Sequence, residues 1–438
     1  MLKELMTCSL LKIKIFITIL SVSVLLWAFP IAALHAADLS GTVLKALSFH
    51  PTIKASQEAL KAVKQDVKIQ LGGFYPVISV KTEMGQEATN GDISNPHGVS
   101  NSAEISLTQN IFDGKSTTYS IKSAKRLKRE ADFVLYDDRE TITLQAAEAY
   151  LKILRFRAVV KLSQENLKKH QEVHEKVQLR TRQGGGDLGD VFQSESRLIR
   201  SKSRLRQVEG DLRNAETDFF EVVGSLPEVE LDEAIVLEDT IPKTVEEAIA
   251  KAIAKNPALR AIQENSKSKE ADVSAIKSSL YPTLDLELKY TNEYHSDTVA
   301  GSSEDMTALF VMNFDLYRGN QDTSRWKQAK HRKTESLRLV DEQRRLLEEQ
   351  IRVDFENYQI AIDRLPMLSR LVEVNSSVVQ SYMQQFELGR RTLLDVLDAH
   401  DDLYQAMVGV VEERDRLRLN EYRILSAFGQ LETSLSPS

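Results

Sequence analysis

The chain has 438 residues, of which 42% are hydrophobic and 28% charged, with a formal net charge of −7. That hydrophobic share is too low for a protein of many apolar membrane helices, and the acidic balance gives no support to a nucleic-acid role. The length allows two domains or one large one.

Residues 1–36 read as a secretory signal peptide. Lys3, Lys12 and Lys14 form its basic part, residues 15–29 its apolar part, and Ala36 or Ala37 the cleavage end, although Leu34 or His35 is larger than the usual small residue upstream. The rival reading is an uncleaved anchor helix. Lys3, Lys12 and Lys14 against Glu4 give this segment +2, so the rest of the chain carries −7 − 2 = −9. The one cysteine, Cys8, precedes the apolar run. A lipid-anchor cysteine would follow it, and the chain beyond the signal has no disulfide or thiolate metal site.

Residues 43–71 have a helical pattern, interrupted at His50 and Pro51 and stopped by Phe74, Tyr75 and Pro76. Alternation then predicts a strand of about ten residues, with Ile78, Val80, Thr82 and Met84 on one face and Ser79, Lys81 and Glu83 on the other. Residues 86–101 are polar and rich in Asn and Gly, which predicts a loop. A second strand sets Ala103, Ile105 and Leu107 against Glu104, Ser106 and Thr108, and ends at Phe112, Asp113 and Gly114. Residues 116–183 contain neither proline nor glycine. At 1.5 Å per residue, that predicts a helix of about 100 Å, far beyond the few turns of an ordinary globular helix. Gly184, Gly185 and Gly186 turn the chain. Val191, Leu198, Leu205, Leu212 and Phe219 then recur every seventh residue, the mark of a left-handed coiled-coil seam.

Residues 226–244 are acidic and hold Pro227 and Pro242, which reads as a connector. After them the first half is written again. His50, Pro51 and Glu58 match Asn256, Pro257 and Glu264, and Tyr75-Pro76 matches Tyr281-Pro282, at an offset of 206. Leu284, Leu286, Leu288 and Tyr290 alternate with charged residues; Met306, Ala308, Phe310 and Met312 follow after a Ser/Asp/Gly loop placed at 295–304. Tyr317-Arg318-Gly319 matches Phe112-Asp113-Gly114. A second long helix is predicted over about 322–388, with a kink at Pro366. Gly389 then falls on Gly184, Asp395 on Asp190 and Val396 on Val191, at an offset of 205. A one-residue length change therefore lies between the two blocks. The seam recurs as Val396, Leu403, Val410, Leu417 and Ile424. The domain plan is signal 1–36, first repeat 37–225, acidic connector 226–248 and second repeat 249–438, each repeat reading helix, two strands, long helix, helix.

The four alternating strands suit a barrel wall with lipid outside and water inside. Phe74, Tyr75, Phe112, Tyr281, Phe314 and Tyr317 cluster where strands meet helices and would mark one membrane interface. A soluble sheet with one buried face also explains the alternation, but not the two 100 Å helices attached to it. Four strands cannot close a barrel, and open edges cannot sit in lipid, so copies must share one: eight strands from a dimer or twelve from a trimer.

The doubled strand-pair and helical-hairpin plan, most specifically at residues 389–399, resembles the TolC family of outer-membrane export channels. The resemblance implies an internally duplicated α+β membrane protein, a homotrimer. Its 12-stranded outer-membrane β-barrel, four strands per chain, continues into a long α-helical coiled-coil barrel in the periplasm. It also implies a periplasmic adaptor and an inner-membrane pump as partners. By the same resemblance Asp395 and Asp398 form the ring that closes the tunnel tip, and Arg391 ties the tip shut through a carboxylate at the other turn, here Asp190. The family's tyrosine before the turn glycine is Phe386 in this chain, so a hydroxyl contact of that latch is missing.

Competing readings bear on single residues. Thr392 to Asp395 has capping-box spacing, so Asp395 serves equally as a helix cap; Asp398 lies beyond the first turn, where capping does not explain it. Arg391 is also placed to pair with Asp395 four residues on, in the weaker order. His170 and His174, one turn apart, have metal-ligand spacing but no accompanying zincin Glu, and are expected on a solvated face. Asp113 to Thr117 resembles the end of a phosphate loop but has Gln109 where its first glycine belongs. There is no Gly-x-Ser-x-Gly and no cysteine nucleophile, so neither an enzyme nor a cofactor is expected. The competing function is a structural or adhesive coiled-coil protein of the envelope, which has no use for a barrel segment in each half.

Overall fold

The computed structural model describes residues 38–88, 97–295 and 301–435. The expected signal peptide and the loop tips at 89–96 and 296–300 lie outside the described residues. The first repeat is α1 (Leu39–Phe49), α2 (Pro51–Gly72), β1 (Val77–Ala88), β2 (His97–Phe112), α3 (Ser116–Arg182) and α4 (Leu188–Val223). The second is α5 (Val245–Lys255), α6 (Pro257–Lys277), β3 (Thr283–His295), β4 (Gly301–Asn313), α7 (Gln321–Glu387) and α8 (Leu393–Ala427), followed by the short α9 (Leu431–Leu435). The two long helices, α3 and α7, have 67 residues each, and α7 runs through Pro366. No described helix is long and apolar enough to cross a membrane.

The four strands form one antiparallel sheet in the order β1-β2-β3-β4. Its register puts apolar residues in rows: Ile78, Leu107, Leu288 and Ala308 in one, Val80, Ile105, Tyr290 and Met306 in the next. The neighbouring rows are polar: Ser79, Ser106, Lys289 and Thr307, then Lys81, Glu104, Thr291 and Asp305. One face of the whole sheet is therefore apolar and the other polar, because strand side chains alternate and the register keeps all four strands in phase. The polar face is cross-linked by Ser79 with Ser106 at 2.8 Å and by Lys289 with Glu104 at 2.7 Å.

The strands are longer than the ten residues expected, at 12, 16, 13 and 13. The predicted loops shrink accordingly. Of 86–101, the stretches up to Ala88 and from His97 are strand; of 295–304, so are His295 and Gly301 onwards. Composition misled here because ladder bonds are made by the backbone, which continues through Gly85, Gln86, Ser100 and Asn101 as readily as through apolar residues. At about 3.3 Å per residue these strands reach about 40–50 Å, more than the ~25 Å apolar band of an outer-membrane barrel.

Halfway along the helices sits the main core. Tyr150 of α3 and Tyr422 of α8 are fully buried there with Phe219, Ile351, Leu425 and Phe428. The connector crosses this region and is pinned by its backbone: Tyr150 Oη donates to the Asp232 carbonyl and Tyr422 Oη to the Ile235 carbonyl, each at 2.7 Å. The sevenfold seams of α4 and α8 are joined by a second line three residues on, much of it small: Ser194, Ser201 and Ala215 on α4, Ala399, Ala406 and Ala427 on α8, all buried. Small residues let the paired helices approach closely along the hairpin.

α8 has a second buried face. Leu397, His400 and Tyr404 do not belong to the seam against α7, yet all three are buried. They point at the first hairpin: Tyr404 Oη meets Ser163 Oγ of α3 at 2.8 Å, and Arg155 of α3 donates to Asp415 at 2.8 Å. The two hairpins are thus packed side by side, with α8 and α3 in the middle and α4 and α7 on the flanks. The sheet has the same layout, with β1 and β4 as its open edges.

Candidate tunnel gate at the hairpin tips

Both hairpins end at one pole, far from the sheet. α3 stops at Arg182 and α7 at Glu387; Gly184 and Gly389 follow with φ of +81° and +69°. This left-handed conformation carries little cost only for glycine. At the second turn, Gly389 N–H donates to the Phe386 carbonyl at 3.0 Å and Arg390 N–H to that of Gln385 at 2.8 Å, which satisfies carbonyls left free by the ending helix. α4 starts on Asp187, whose carboxylate accepts from Gly189 N–H at 3.2 Å. α8 starts on Thr392, whose hydroxyl accepts from Asp395 N–H at 3.2 Å and donates to the Asp395 carboxylate at 2.7 Å. Asp395 is therefore a helix-capping partner, whatever else it does.

Arg391 lies between turn and cap. Its guanidinium stacks 3.8 Å from the ring centre of Tyr382, and its Nε is 3.8 Å from Asp395 Oδ2. That Nε is buried and has no hydrogen-bond acceptor among the described residues. Asp190 is half-buried in the first turn of α4 and makes no ion pair or side-chain hydrogen bond among the described residues. Phe386 is buried in a small apolar cluster with Val173, Val177, Leu393, Val396 and Leu397, and Arg180 stacks on its ring at 5.5 Å. Asp398 is 51% exposed and accepts a 2.5 Å hydrogen bond from Arg197 of α4.

Next to Asp398 lies a polar cluster that sequence reasoning missed. Asp401 of α8 accepts from Arg197 at 3.0 Å and from Arg204 at 3.4 Å, and His170 of α3 stands 3.5 Å away. Burial opposes ionisation of Asp401, but the hydrogen bond from His170 and the charges of His170, Arg204 and Arg197 outweigh it and hold the carboxyl below its ordinary value. His170 is buried, and His174 is half-buried on Ser194 at 2.8 Å. The expectation of a solvated face for this pair is corrected: the first hairpin turns them onto α8 and α4. No group of three or more metal-ligating side chains occurs among the described residues. In heptad terms Asp401 stands opposite the α7 seam, where a lone hairpin would expose it; only the first hairpin covers it. Tyr382 gave no signal either, since its use depends on where the turn delivers Arg391.

At the other pole, Phe74, Tyr75, Phe112, Tyr281, Phe314 and Tyr317 all lie exposed at the strand–helix junction. The rows of exposed apolar side chains above them, including Ile78, Val80, Met306 and Phe310, continue the same apolar surface.

A family model described as outer membrane efflux protein matches residues 43–225 and 248–430, once for each repeat. The chain belongs to this family. The two matched segments follow the internal duplication closely. Among curated relatives, the outer membrane efflux protein BepC of Brucella suis is 24% identical over 404 residues, covering 90% of this chain and 85% of its own. The outer membrane protein TolC of Escherichia coli is 22% identical, covering 79% and 72%. Among solved structures, the CmeC outer membrane channel of Campylobacter jejuni superposes with a TM-score of 0.80 at 12% identity, over 90% of this chain and 86% of that one. Membership makes the chain an outer-membrane export duct, neither an enzyme nor an adhesive coiled coil.

Proposed function

We propose that three copies close into one duct, with a gated tip that docks a periplasmic adaptor and an inner-membrane pump. The observation that carries this reading is the pair of unsatisfied flanks. On one flank, β1 ends in an open edge and α4 exposes Phe192, Ile199 and Phe220. On the other, β4 is open and α7 exposes Leu339, Leu346, Val353, Ile360, Met367 and Val374, one every seven residues. That spacing is a coiled-coil seam without a helix against it. The flanks differ, so copies join head to tail and close into a ring. Three chains of four strands give a twelve-stranded barrel, with its apolar face to lipid. The β-hairpin ends, away from the helices, then face outside the cell.

In such a ring, Arg391 beside α7 and Asp190 of α4 stand on opposite flanks of one chain and meet across each joint. Asp190, without an ion pair among the described residues, accepts the Arg391 tie. Asp395 and Asp398 from each copy ring the axis and focus a negative potential on the pore. Mass measurement of the detergent-extracted complex tests the ring; a stable monomer or dimer rules it out. Single-channel conductance tests the gate. Arg391→Ala should conduct more than the parent, and Asp395→Ala with Asp398→Ala should weaken cation selectivity and block by multivalent cations.

A further inference from the structure

The chain is acidic as a whole, yet the membrane ends of its two long helices are basic. Residues 115–129 hold six Lys or Arg and no Asp or Glu; residues 323–334, early in α7, hold five Lys or Arg and again no Asp or Glu. Four of the first set gather at one place. A cavity of about 440 Å³ between the end of α2 and the start of α3 is lined by Lys122, Lys125, Arg126 and Arg129 together with Leu71, Phe74 and Ile121. Arg126 is engaged elsewhere, 3.0 Å from Glu264 of α6. Lys122, Lys125 and Arg129 are exposed and make no ion pair or side-chain hydrogen bond among the described residues. Three cations around a half-apolar hollow repel one another, and an anion that carries an apolar tail relieves both defects.

The cavity lies at the height of a lipid headgroup. Phe74 is one of the exposed aromatics at the strand–helix junction, and the apolar face of β1 begins just beyond it with Ile78. At 1.5 Å per residue, Lys122 and Lys125 branch from α3 about 9 and 14 Å below its start at Ser116. Helical side chains tilt towards the N-terminus, here the membrane end, and a lysine stem carries its ammonium further back towards the interface. Tyr150 follows Lys125 by about seven turns, so Lys125 shares the face of α3 that the connector covers lower down. Three connectors would crowd the bore of a ring, so this face is the outer one. We propose that the cavity takes the phosphate of an anionic phospholipid from the periplasmic leaflet. Arg129 grips the phosphate with its forked N–H groups, Lys122 and Lys125 add point charges, Phe74 and Leu71 flank the glycerol, and the acyl chains run up the apolar face of β1. The outward direction of the site rests on the ring reading above. One such lipid per chain pegs the duct at a fixed depth in the membrane.

Native mass spectrometry of the delipidated, detergent-extracted complex tests this, with dioleoyl phosphatidylglycerol and dioleoyl phosphatidylcholine as probes. The parent should take up one phosphatidylglycerol per chain at concentrations several-fold below those needed for phosphatidylcholine. Lys122→Gln, Lys125→Gln and Arg129→Gln combined should abolish that preference. Lys161→Gln, Lys168→Gln and Lys202→Gln combined make the same charge change at exposed positions far from the membrane and should keep it. Should the first combination fail to assemble, Lys125→Gln alone must weaken the preference a few-fold. A parent without preference, or a cavity variant that retains it, overturns the site. Loss of preference in the distant variant as well also overturns it, because the effect is then one of overall charge. Glycerol phosphate, the soluble headgroup, is the last arm: if it displaces the lipid at equal concentration, the cavity is a site for soluble phosphates and the lipid proposal falls. The same spectra weigh the complex. A mass other than three chains removes the ring reading, whereas the lipid count per chain judges the cavity by itself.

Discussion

Acid should loosen the hairpin tips, and His400 should be the reason. Its side chain is 9% exposed, and its ring centre lies 6.5 Å from that of His170. Burial, with the neighbouring His170 and Lys169, pushes its pKa from 6.5 to about 4, against the opposing pull of Asp401 and Glu172. Arg197 and Arg204 reach the same cluster from α4 through Asp401. A depressed histidine pKa means that the opened hairpin binds more protons than the closed one between pH 4 and 6.5. Closed-state stability is therefore full above that window and is lost as pH falls through it. With the opened-state pKa at its ordinary value, lowering pH from 7 to 5 costs about 2 kcal/mol, or about 20-fold in the opening equilibrium. Amide hydrogen exchange over residues 393–407 reads this directly. His400→Phe keeps an aromatic ring in the site and removes the titration. Protection ratios of parent to variant at each pH cancel the intrinsic exchange rate. The parent should lose about 20-fold more protection than the variant between pH 7 and 5. Parallel loss in both proteins would refute the argument, since His400 would then take up no proton on opening.

Three further outcomes follow from particular contacts. Tyr382→Phe should conduct like the parent, whereas Tyr382→Leu should favour the open tip through loss of a cation–π contact of about 0.5–2 kcal/mol; equal conductance of the two would assign the stack no role in gating. Burial raises Glu140 to about 8 even though it accepts backbone N–H bonds from Leu431 and Glu432 at 3.0 and 3.3 Å. A raised carboxyl contributes stability that is lost as pH rises from 4.5 to about 8, so Glu140→Gln should flatten the fall in melting temperature over that range, and an unchanged pH profile would count against it. Ile360→Glu, at the centre of the exposed α7 seam, should cut the yield of the assembled complex on a sizing column while leaving the helicity of the chain unchanged; undiminished assembly would remove that seam from the interface.

Much of the molecule was legible in the sequence because its signals are periodic and local. A residue run without proline or glycine marked α3 from Ser116 to within a residue of its end at Arg182. Alternation picked the apolar face of all four strands, since a strand's two faces are set by parity alone. The doubled glycine turn showed where both hairpins end, because few residues other than glycine hold a positive φ there. Strand ends were less legible: backbone ladders ignore side-chain polarity, and β2 runs back through Asn101 to His97. What only tertiary structure decided is how one hairpin sits on the other. Asp401, His170 and His400 occupy positions that a single coiled-coil hairpin leaves to solvent, and they come together, the histidines buried and Asp401 half-buried, because the first hairpin packs on that side of α8. A heptad repeat specifies one seam. The second face of a helix is fixed by a neighbour about 200 residues away in the chain, and no local periodicity encodes it.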